Sequence, residues 1–263
     1  MAKLRYSIQT LLVGILVLSI GLAFYGREQY FLYQQERTFR EIIAKYEKED
    51  VAIYRSGESD KDQTLHISIH ATEVDSLVID LPPIDYTGAV KRLWIVFEGS
   101  TITSAPIVEI KGVSNLKKLR EVQIDFEDHN LESASRVLAS LYENKTVDSL
   151  IYHSYTGSPY LTKALSKQDQ KVIQSLKNLT DLQVQIGHED TDIFQGLGHL
   201  RRLTIRGGSL GDEHLDLLKG LPNLVYLELT LGEGLNSTKI TKEGVEKLKK
   251  MCPNLEVVTH SLY

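Results

Sequence analysis

Cysteine is nearly absent from this chain of 263 residues, which contains only Cys252. A single cysteine excludes an intrachain disulfide and the paired-cysteine spacing of zinc-binding modules. Packing must therefore hold the folded chain together. No general base can be assigned to Cys252 from the sequence, so we expect it to be a small core residue rather than a nucleophile.

Motifs for catalysis and cofactor binding are also missing. The chain has no G-x-S-x-G nucleophile turn and no glycine-rich phosphate-binding loop. Two acidic loops, at 125–129 and 188–192, lack the spacing of a known calcium loop. His66 and His70 are spaced like a zinc pair on a helix, but they are too far apart on a strand. The sequence therefore predicts no enzyme activity, no metal and no cofactor.

An excess of basic charge is absent as well. The net charge is -5 and the pI is 5.9, so we expect no nucleic-acid partner. Hydrophobic residues make up 42% of the chain and charged residues 25%. These values are typical of a globular protein and argue against wholesale disorder.

One long uncharged run, Ile8 to Tyr25, lies near the start of the sequence. As a helix it would be about 27 Å long, close to the thickness of a bilayer core, and the basic Lys3 and Arg5 precede it. We predict a signal-anchor transmembrane helix at residues 1–26, a single pass, and a C-terminal domain outside the cytoplasm. Two alternatives stay open: a signal peptide cleaved after Ala23, and a buried soluble helix.

A second helix is predicted at residues 27–50 as a juxtamembrane stalk. Phe39, Ile42, Ile43 and Tyr46 have the i, i+3, i+4, i+7 spacing of one narrow apolar stripe. The favoured interpretation is a helix that rests on the following domain or on the membrane surface. The alternative is a pairing face through which two chains associate, although one stripe over two turns is short for a coiled coil.

From Val90 onward one short phrase recurs: an apolar residue, two residues, an apolar residue, one residue, an apolar residue. The central residues of its seven occurrences are 29, 28, 32, 21, 24 and 31 positions apart. Such a period predicts a solenoid, in which each unit buries its apolar side against its neighbours. The occurrences are Val90-Leu93-Ile95, Leu119-Val122-Ile124, Val147-Leu150-Tyr152, Leu179-Leu182-Val184, Leu200-Leu203-Ile205, Leu224-Leu227-Leu229 and Leu255-Val258-His260.

The region before these repeats is predicted to cap them. Val74-Leu77-Ile79 matches the phrase but lies only 16 residues before the next occurrence, which is below the usual repeat length. His66 to His70 alternates like a strand. We therefore predict an N-terminal capping strand or hairpin at 51–88 and a repeat domain at 89–263.

The phrase resembles the L-x-x-L-x-L unit of leucine-rich repeat proteins, and its last three occurrences look like the ribonuclease-inhibitor-like or cysteine-containing type. The resemblance implies an α/β fold: a short, irregular leucine-rich repeat solenoid, here preceded by the predicted transmembrane and stalk helices. Thr241 is the expected N-cap of the last helix, and Pro222 and Pro253 lie just past the expected helix ends. Together with the basic start and the hydrophobic run, the chain looks like small membrane-anchored bacterial proteins of this family.

Residues between the repeated apolar positions are expected on the concave side of the sheet, because side chains alternate along a strand. We call this solvent-facing side the open face. Its Trp, Tyr and Arg residues are of the types that most often anchor protein interfaces. The predicted partner-binding residues are Arg92, Trp94, Glu121, Gln123, Asp125, His153, Asp181, Gln183, Gln185, Arg202, Thr204, Arg206, Tyr226, Glu228 and Thr230.

The predicted function is that of a membrane-anchored leucine-rich repeat protein. It would act as a protein–protein interaction or scaffolding module through the open face, with a protein partner that the sequence does not identify. The alternatives are a secreted recognition protein with a cleaved signal peptide, and a structural spacer or self-associating domain.

Overall fold

Four α-helices and eleven strands make up the regular structure of the part of the chain that is described. The computed structural model describes residues 2–46, 51–56, 63–70, 76–81, 90–97, 107–127, 130–154, 165–186, 188–206, 210–231 and 238–261. The helices are α1 Ala2–Tyr46, α2 Leu131–Ala139, α3 Lys167–Ser175 and α4 Lys242–Met251. The strands are β1 Val51–Ser56, β2 Gln63–Ile69, β3 Ser76–Asp80, β4 Val90–Phe97, β5 Ile107–Lys111, β6 Glu121–Phe126, β7 Ser149–Ser154, β8 Asp181–Val184, β9 Arg202–Ile205, β10 Tyr226–Leu231 and β11 Glu256–Ser261. Short 3-10 segments occur at Val113–Asn115, His188–Phe194 and Asp212–Gly220.

The main sheet has nine strands in the order β1-β2-β4-β6-β7-β8-β9-β10-β11. From β2 to β11 every pair is parallel, and spatial order follows chain order apart from β3 and β5. Parallel neighbours need a crossover between them. Here the crossovers supply a second layer, in which β5, α2, α3, the two later 3-10 segments and α4 contact one another in succession. This arrangement is α/β and leucine-rich repeat-like.

The repeated apolar positions form the core between the two layers. In each of the first six phrases, the central residue and the last residue are both at most 2% exposed. Burial of a Leu or Ile side chain contributes about 1.5–3 kcal/mol, so these stacked rows are the main source of stability. The central residues are Leu93, Val122, Leu150, Leu182, Leu203 and Leu227.

A ladder of shared carbonyls aligns the entry to successive strands. Arg120 O accepts hydrogen bonds from Asp148 N and Ser149 N at 2.8 and 3.0 Å. The same two-donor arrangement recurs at the carbonyls of Asp148, Thr180 and Arg201. Each new strand is thereby held in one register against the previous unit, which places equivalent side chains side by side.

Asparagine side chains tie neighbouring units together at a position that the sequence pattern did not indicate. Asn178 Nδ2 donates to Lys145 O at 2.5 Å, and Asn223 Nδ2 donates to Gly198 O at 2.6 Å. Both asparagines directly precede the first leucine of a repeat phrase.

The last repeat phrase is offset by one residue from its predicted alignment. Val257, rather than Val258, lies opposite Leu227 in the β10–β11 pair, and Thr259 lies opposite Leu229. Val258 and His260 therefore face the open side of the sheet. The physical reason is that the backbone of Glu256 donates to Val225 O, which fixes the register of β11 independently of the phrase.

An antiparallel hairpin lies at the first end of the sheet; the predicted capping region at 51–88 stays a prediction. Strand β1 pairs with β2, with Val51 opposite Ile69, and β2 continues into the parallel sheet through β4. Strand β3 lies elsewhere: it pairs in parallel with β5 in a separate two-stranded sheet. Leu77 and Ile79 of β3 are buried, so this small sheet takes the place that a helix occupies in later units.

Helix α1 overturns the predicted transmembrane segment. No helix within the described part of the chain is long and apolar enough to cross a membrane. The described side chains of the predicted span begin at Ile15, since those at 8–14 lie outside the described residues. The transmembrane part of the predicted fold class and the predicted single-pass membrane localisation are therefore wrong.

The end of α1 packs against the repeat domain. Tyr46 is 1% exposed, and Ile42 and Ile43 are partly buried against the same core. The Tyr46 hydroxyl accepts from Asp80 N at 2.8 Å and lies 3.3 Å from Val78 O. Ile42, Ile43 and Tyr46 of the predicted stripe thus pack against the domain, while the side chain of Phe39 lies outside the described residues.

Candidate functional site

The open face consists of rows of side chains that run across the parallel strands. Strand alternation is confirmed, because β6 and β7 alternate between half-exposed and buried residues along their whole length. The first row is Arg92, Glu121, Ser149, Asp181, Arg202 and Tyr226. The second row is Trp94, Gln123, Ile151, Gln183, Thr204 and Glu228.

A third row is less regular. Asp125 of β6 lies beside His153 of β7, and Thr230 of β10 lies beside His260 of β11. Gln185 and Arg206 follow the ends of β8 and β9. The structure therefore places the predicted residues on one side of the sheet. Partner binding by these residues stays a prediction.

Charges in the first row are paired between neighbouring strands. Arg92 Nε lies 3.1 Å from Glu121 Oε2, and Arg202 Nε lies 3.6 Å from Asp181 Oδ1. The Arg202 guanidinium also lies over the Tyr226 ring, 5.8 Å from its centroid. Both Arg side chains are more than half exposed, so each ion pair contributes at most about 1 kcal/mol. They are more important for presenting a defined pattern of charge than for stability.

Asp125 is the centre of a hydrogen-bonded cluster at the first end of the open face. Its Oδ2 atom accepts from Trp94 Nε1 at 2.7 Å and from Gln123 Nε2 at 2.6 Å. His153 Nδ1 lies 3.9 Å from Asp125 Oδ1. The Asp125 side chain is only 13% exposed. Hydrogen bonds to a poorly solvated carboxylate are among the stronger ones in proteins, so the indole of Trp94 has a fixed orientation.

His153 is held in its neutral form at physiological pH by this environment. Burial lowers the pKa of its imidazole below the ordinary value, and the nearby Arg206 guanidinium lowers it further. The Asp125 carboxylate opposes both effects without reversing them. His153 and Asp125 therefore do not form a full ion pair near pH 7.

Aromatic rings extend the cluster onto the capping hairpin. The His66 ring stacks on Tyr54, with centroids 4.6 Å apart and planes 5° apart, and it lies 4.9 Å from the Trp94 ring. Ser56 Oγ is 2.6 Å from His66 Nε2. Burial lowers the pKa of His66. The sequence pattern predicted a strand at His66 to His70 and excluded a zinc pair there, but it did not indicate this stacking of His66 between Tyr54 and Trp94.

The other end of the open face carries a second hydrogen-bonded group. The Tyr226 hydroxyl donates to Glu228 Oε2 at 3.2 Å, and His260 Nε2 lies 3.3 Å from Glu228 Oε1. Glu228 thus receives one polar contact from its own strand and one from β11. Trp94 and Tyr226, the two aromatic residues predicted to anchor a partner, are held at opposite ends by acidic side chains.

Metal ligands are not gathered anywhere in the described residues: no group of three or more His, Cys, Asp or Glu could hold an ion. In the first acidic loop, Asp125 faces the open side, while residues 128 and 129 lie outside the described part. In the second, Asp190 is fully buried and accepts from Gln170 Nε2 at 3.1 Å, and Asp192 pairs with Lys167 at 3.1 Å.

Comparisons with known proteins add little to this geometry. No protein-family model matches the chain, and no characterised protein matches it by sequence. Among solved structures the chain is similar to an internalin from Listeria monocytogenes, at 18% identity over 73% of this chain. The chain spans 60% of the length of that internalin, and the TM-score is 0.30. A score that low supports no argument, so the leucine-rich repeat-like architecture rests on strand order and register alone.

Proposed function

We propose that this chain is a protein-binding module and that the open face is its contact surface. The observation that carries the proposal is the pair of aromatic anchors, Trp94 and Tyr226, fixed by hydrogen bonds at opposite ends of in-register polar rows. Aromatic and arginine side chains held in place before binding lose little entropy on contact, which is the property of interface hot spots.

The size of the open face supports the proposal. Nine strands at about 4.8 Å spacing give a length of about 38 Å, and six residues per strand give a width of about 20 Å. The product is about 760 Å², close to the roughly 800 Å² that each partner contributes to an interface of standard size. Paired charges such as Arg92–Glu121 let this surface be covered without leaving an isolated charge buried.

Capture by crosslinking, read by quantitative mass spectrometry, tests the proposal. The test variant combines Trp94→Ala, Arg202→Ala and Tyr226→Ala. The matched control combines Arg136→Ala, Tyr142→Ala and Leu217→Ala, which changes one cation, one tyrosine and one large apolar residue on the opposite layer. Tyr142 and Leu217 are 55% and 41% exposed. Circular dichroism verifies that both variants are folded.

We expect at least one protein to be captured by the wild type and by the control, and to be reduced at least about tenfold with the test variant, since hot spots dominate binding energy. Equal capture by the test variant would remove the open face as the contact surface. Equal loss with both variants would point to the fold as a whole rather than to the named residues.

A further inference from the structure

Strand β11 leaves one edge of the nine-stranded sheet without a partner among the described residues. The backbone of Glu256 donates to Val225 O, so in a parallel ladder the N–H and C=O groups of residues 256, 258 and 260 point toward β10. Those of Val257, Thr259 and Ser261 then point outward at the free edge. An unpaired edge of six residues is a template for pairing with another strand.

The unit that contains β11 also keeps apolar surface that the described residues cover only in part. Val257, Met251 and Cys252 pack against the core but are only partly buried. Leu227 and Leu221, the equivalents of Val257 and Cys252 in the preceding unit, are buried. Val258, on the open face, is partly exposed as well. Solenoids need a polar cap or a neighbour at each end to remain soluble.

We propose that this edge binds a second copy of the same chain, through antiparallel pairing of the two β11 strands. The outward backbone groups belong to odd-numbered residues, so only registers that place odd opposite odd make hydrogen bonds. One such register places Val257 opposite Thr259 in hydrogen-bonded pairs. It also places Val258 opposite Val258, and Glu256 opposite His260.

Side-chain pairing selects this register over its neighbours. Two Glu256–His260 contacts flank the central valine pair, and the two valines bring apolar surface together at the non-hydrogen-bonded position, where side chains approach most closely. Shifting the register by two residues places Val258 opposite His260 and leaves Glu256 without its partner. A strand that complements itself in both side-chain pairing and backbone hydrogen bonding favours a second copy over an unrelated peptide.

The resulting two-fold axis is perpendicular to the sheet and passes between the two Val258 residues. The sheet would then continue through eighteen strands, twice the nine of one chain, with both open faces on the same side. His260 already contacts Glu228 through Nε2 within its own chain, so Nδ1 is the atom directed to Glu256 of the second copy. This inference concerns assembly and does not depend on the proposed binding function.

Sedimentation equilibrium of the full chain tests the proposal. Exposed apolar side chains of α1, including Leu18 and Phe24 at 67% exposure, require a non-ionic detergent to suppress association through that helix. The test variant is Thr259→Pro, because proline removes an outward N–H and is tolerated at a strand edge. The matched control is Thr259→Val, which keeps the N–H and the β-branched shape.

We expect the wild type and Thr259→Val to be dimers, and Thr259→Pro to dissociate with a dissociation constant raised at least about tenfold, because edge hydrogen bonds are lost. Circular dichroism of Thr259→Pro verifies the fold. A monomeric wild type at about 100 µM, the range in which weak contacts still associate, would overturn the proposal. A Thr259→Pro dimer as tight as the wild type would overturn it equally.

Disulfide trapping tests the register. In a Cys252→Ala background, Val258→Cys should give a crosslinked dimer on mild oxidation, because the two Cβ atoms of a non-hydrogen-bonded pair are about 4.5–5.5 Å apart. Val225→Cys in the same background is the control; Val225 is 43% exposed and lies away from the edge. Equal crosslinking at the two positions, or none at 258, would overturn the Val258-centred register.

Discussion

Trp94 is the chain's only tryptophan, and its indole Nε1 donates a hydrogen bond to Asp125 Oδ2 at 2.7 Å. Asp125→Ala removes the acceptor of both Trp94 and Gln123. We expect the free energy of unfolding to fall by about 2 kcal/mol, the typical cost of losing hydrogen bonds to a charged group. Tryptophan fluorescence should shift to longer wavelength, and quenching by acrylamide should increase.

Asp181→Ala is the control for this change on the same face. Asp181 pairs with Arg202, which is 68% exposed, so its loss should cost less than about 1 kcal/mol. Its removal should leave tryptophan emission unaltered. If Asp125→Ala leaves acrylamide quenching at the wild-type level, the indole is not oriented by this carboxylate.

Two imidazoles on the open face make stability depend on pH. Burial lowers the pKa of both His66 and His153 in the folded chain. The unfolded chain therefore binds protons first as pH falls below about 6.5, so the free energy of unfolding decreases from there down to the folded pKa values and then levels off. Denaturant titrations between pH 7.5 and 5, the range of imidazole titration, measure this slope.

His153→Gln should flatten that slope, because it removes one of the two shifted groups. His260→Gln serves as the control, since its ring is 59% exposed and lies on the last strand. A slope unchanged by His153→Gln would mean that burial of this imidazole does not persist in solution.

Sequence reasoning found the open face but not its internal contacts. Alternation along a strand places Trp94, Asp125 and His153 on one side of the sheet, and this follows from periodicity alone. The hydrogen bond between Trp94 and Asp125 joins residues 31 positions apart. It depends on strand register and rotamer, which a single sequence does not specify. Tyr54 and His66 were missed because the capping hairpin was not aligned with the repeats.

At the scale of elements, α4 depends on a residue from the preceding unit. Thr241 is its N-cap, as predicted, and accepts from Gly244 N at 3.0 Å. Asp212 accepts in turn from Thr241 N at 2.8 Å and from Thr241 Oγ1 at 2.7 Å. We expect Asp212→Ala to lower the free energy of unfolding by about 1 kcal/mol, the usual value of a capping interaction.

Asp216→Ala is the matched control within the same 3-10 segment. The salt-bridge partner described for Asp216 is the exposed Lys219. Asp216→Ala should therefore leave the free energy of unfolding nearly unchanged. Urea denaturation compares the two variants. If Asp212→Ala and Asp216→Ala lower the free energy of unfolding equally, Asp212 does not hold the two units together.

The repeat phrase predicts some strands but not others. It placed β4 and β6 to β10 correctly, because each of these strands has two buried apolar residues at the phrase positions. It did not reveal β5, nor that β3 pairs with β5 rather than with the main sheet. A short apolar run predicts a strand but not its partner. Pro222 and Pro253 did mark the ends of the 3-10 segment at Gly220 and of α4 at Met251.

For the whole molecule, contacts between elements join neighbours in the stack, as in a one-dimensional array. The apolar run at the start of the sequence suggested a span, and the mistake came from treating hydropathy as sufficient. In the structure, helix α1 is continuous to Tyr46, and its end is a packing element of the domain. Tyr46 hydrogen-bonds to β3 at Val78 and Asp80, and the sequence pattern did not place β3 in the fold.

Linear stacking predicts that a Leu→Ala substitution lowers the free energy of unfolding more in the middle of the sheet than next to its last strand. Leu150 in β7 is fully buried with units on both sides, whereas Leu255 next to β11 is 8% exposed with a unit on one side. We expect Leu150→Ala to lower the free energy of unfolding by about 3–4 kcal/mol and Leu255→Ala by about half as much. Denaturant unfolding at low protein concentration measures both.

Hydrogen exchange gives an independent test of this decrease in stability from the middle of the sheet to β11. The amides of Val257 and Thr259 point to the free edge, so in dilute solution they should exchange faster than those of Leu150 and Tyr152, which bond to β8 inside the sheet. Raising the concentration should slow the two edge amides selectively, because a second β11 would accept their hydrogen bonds. Uniform protection at all concentrations would contradict both the gradient and the free edge, since a fully cooperative, capped stack opens only as a whole.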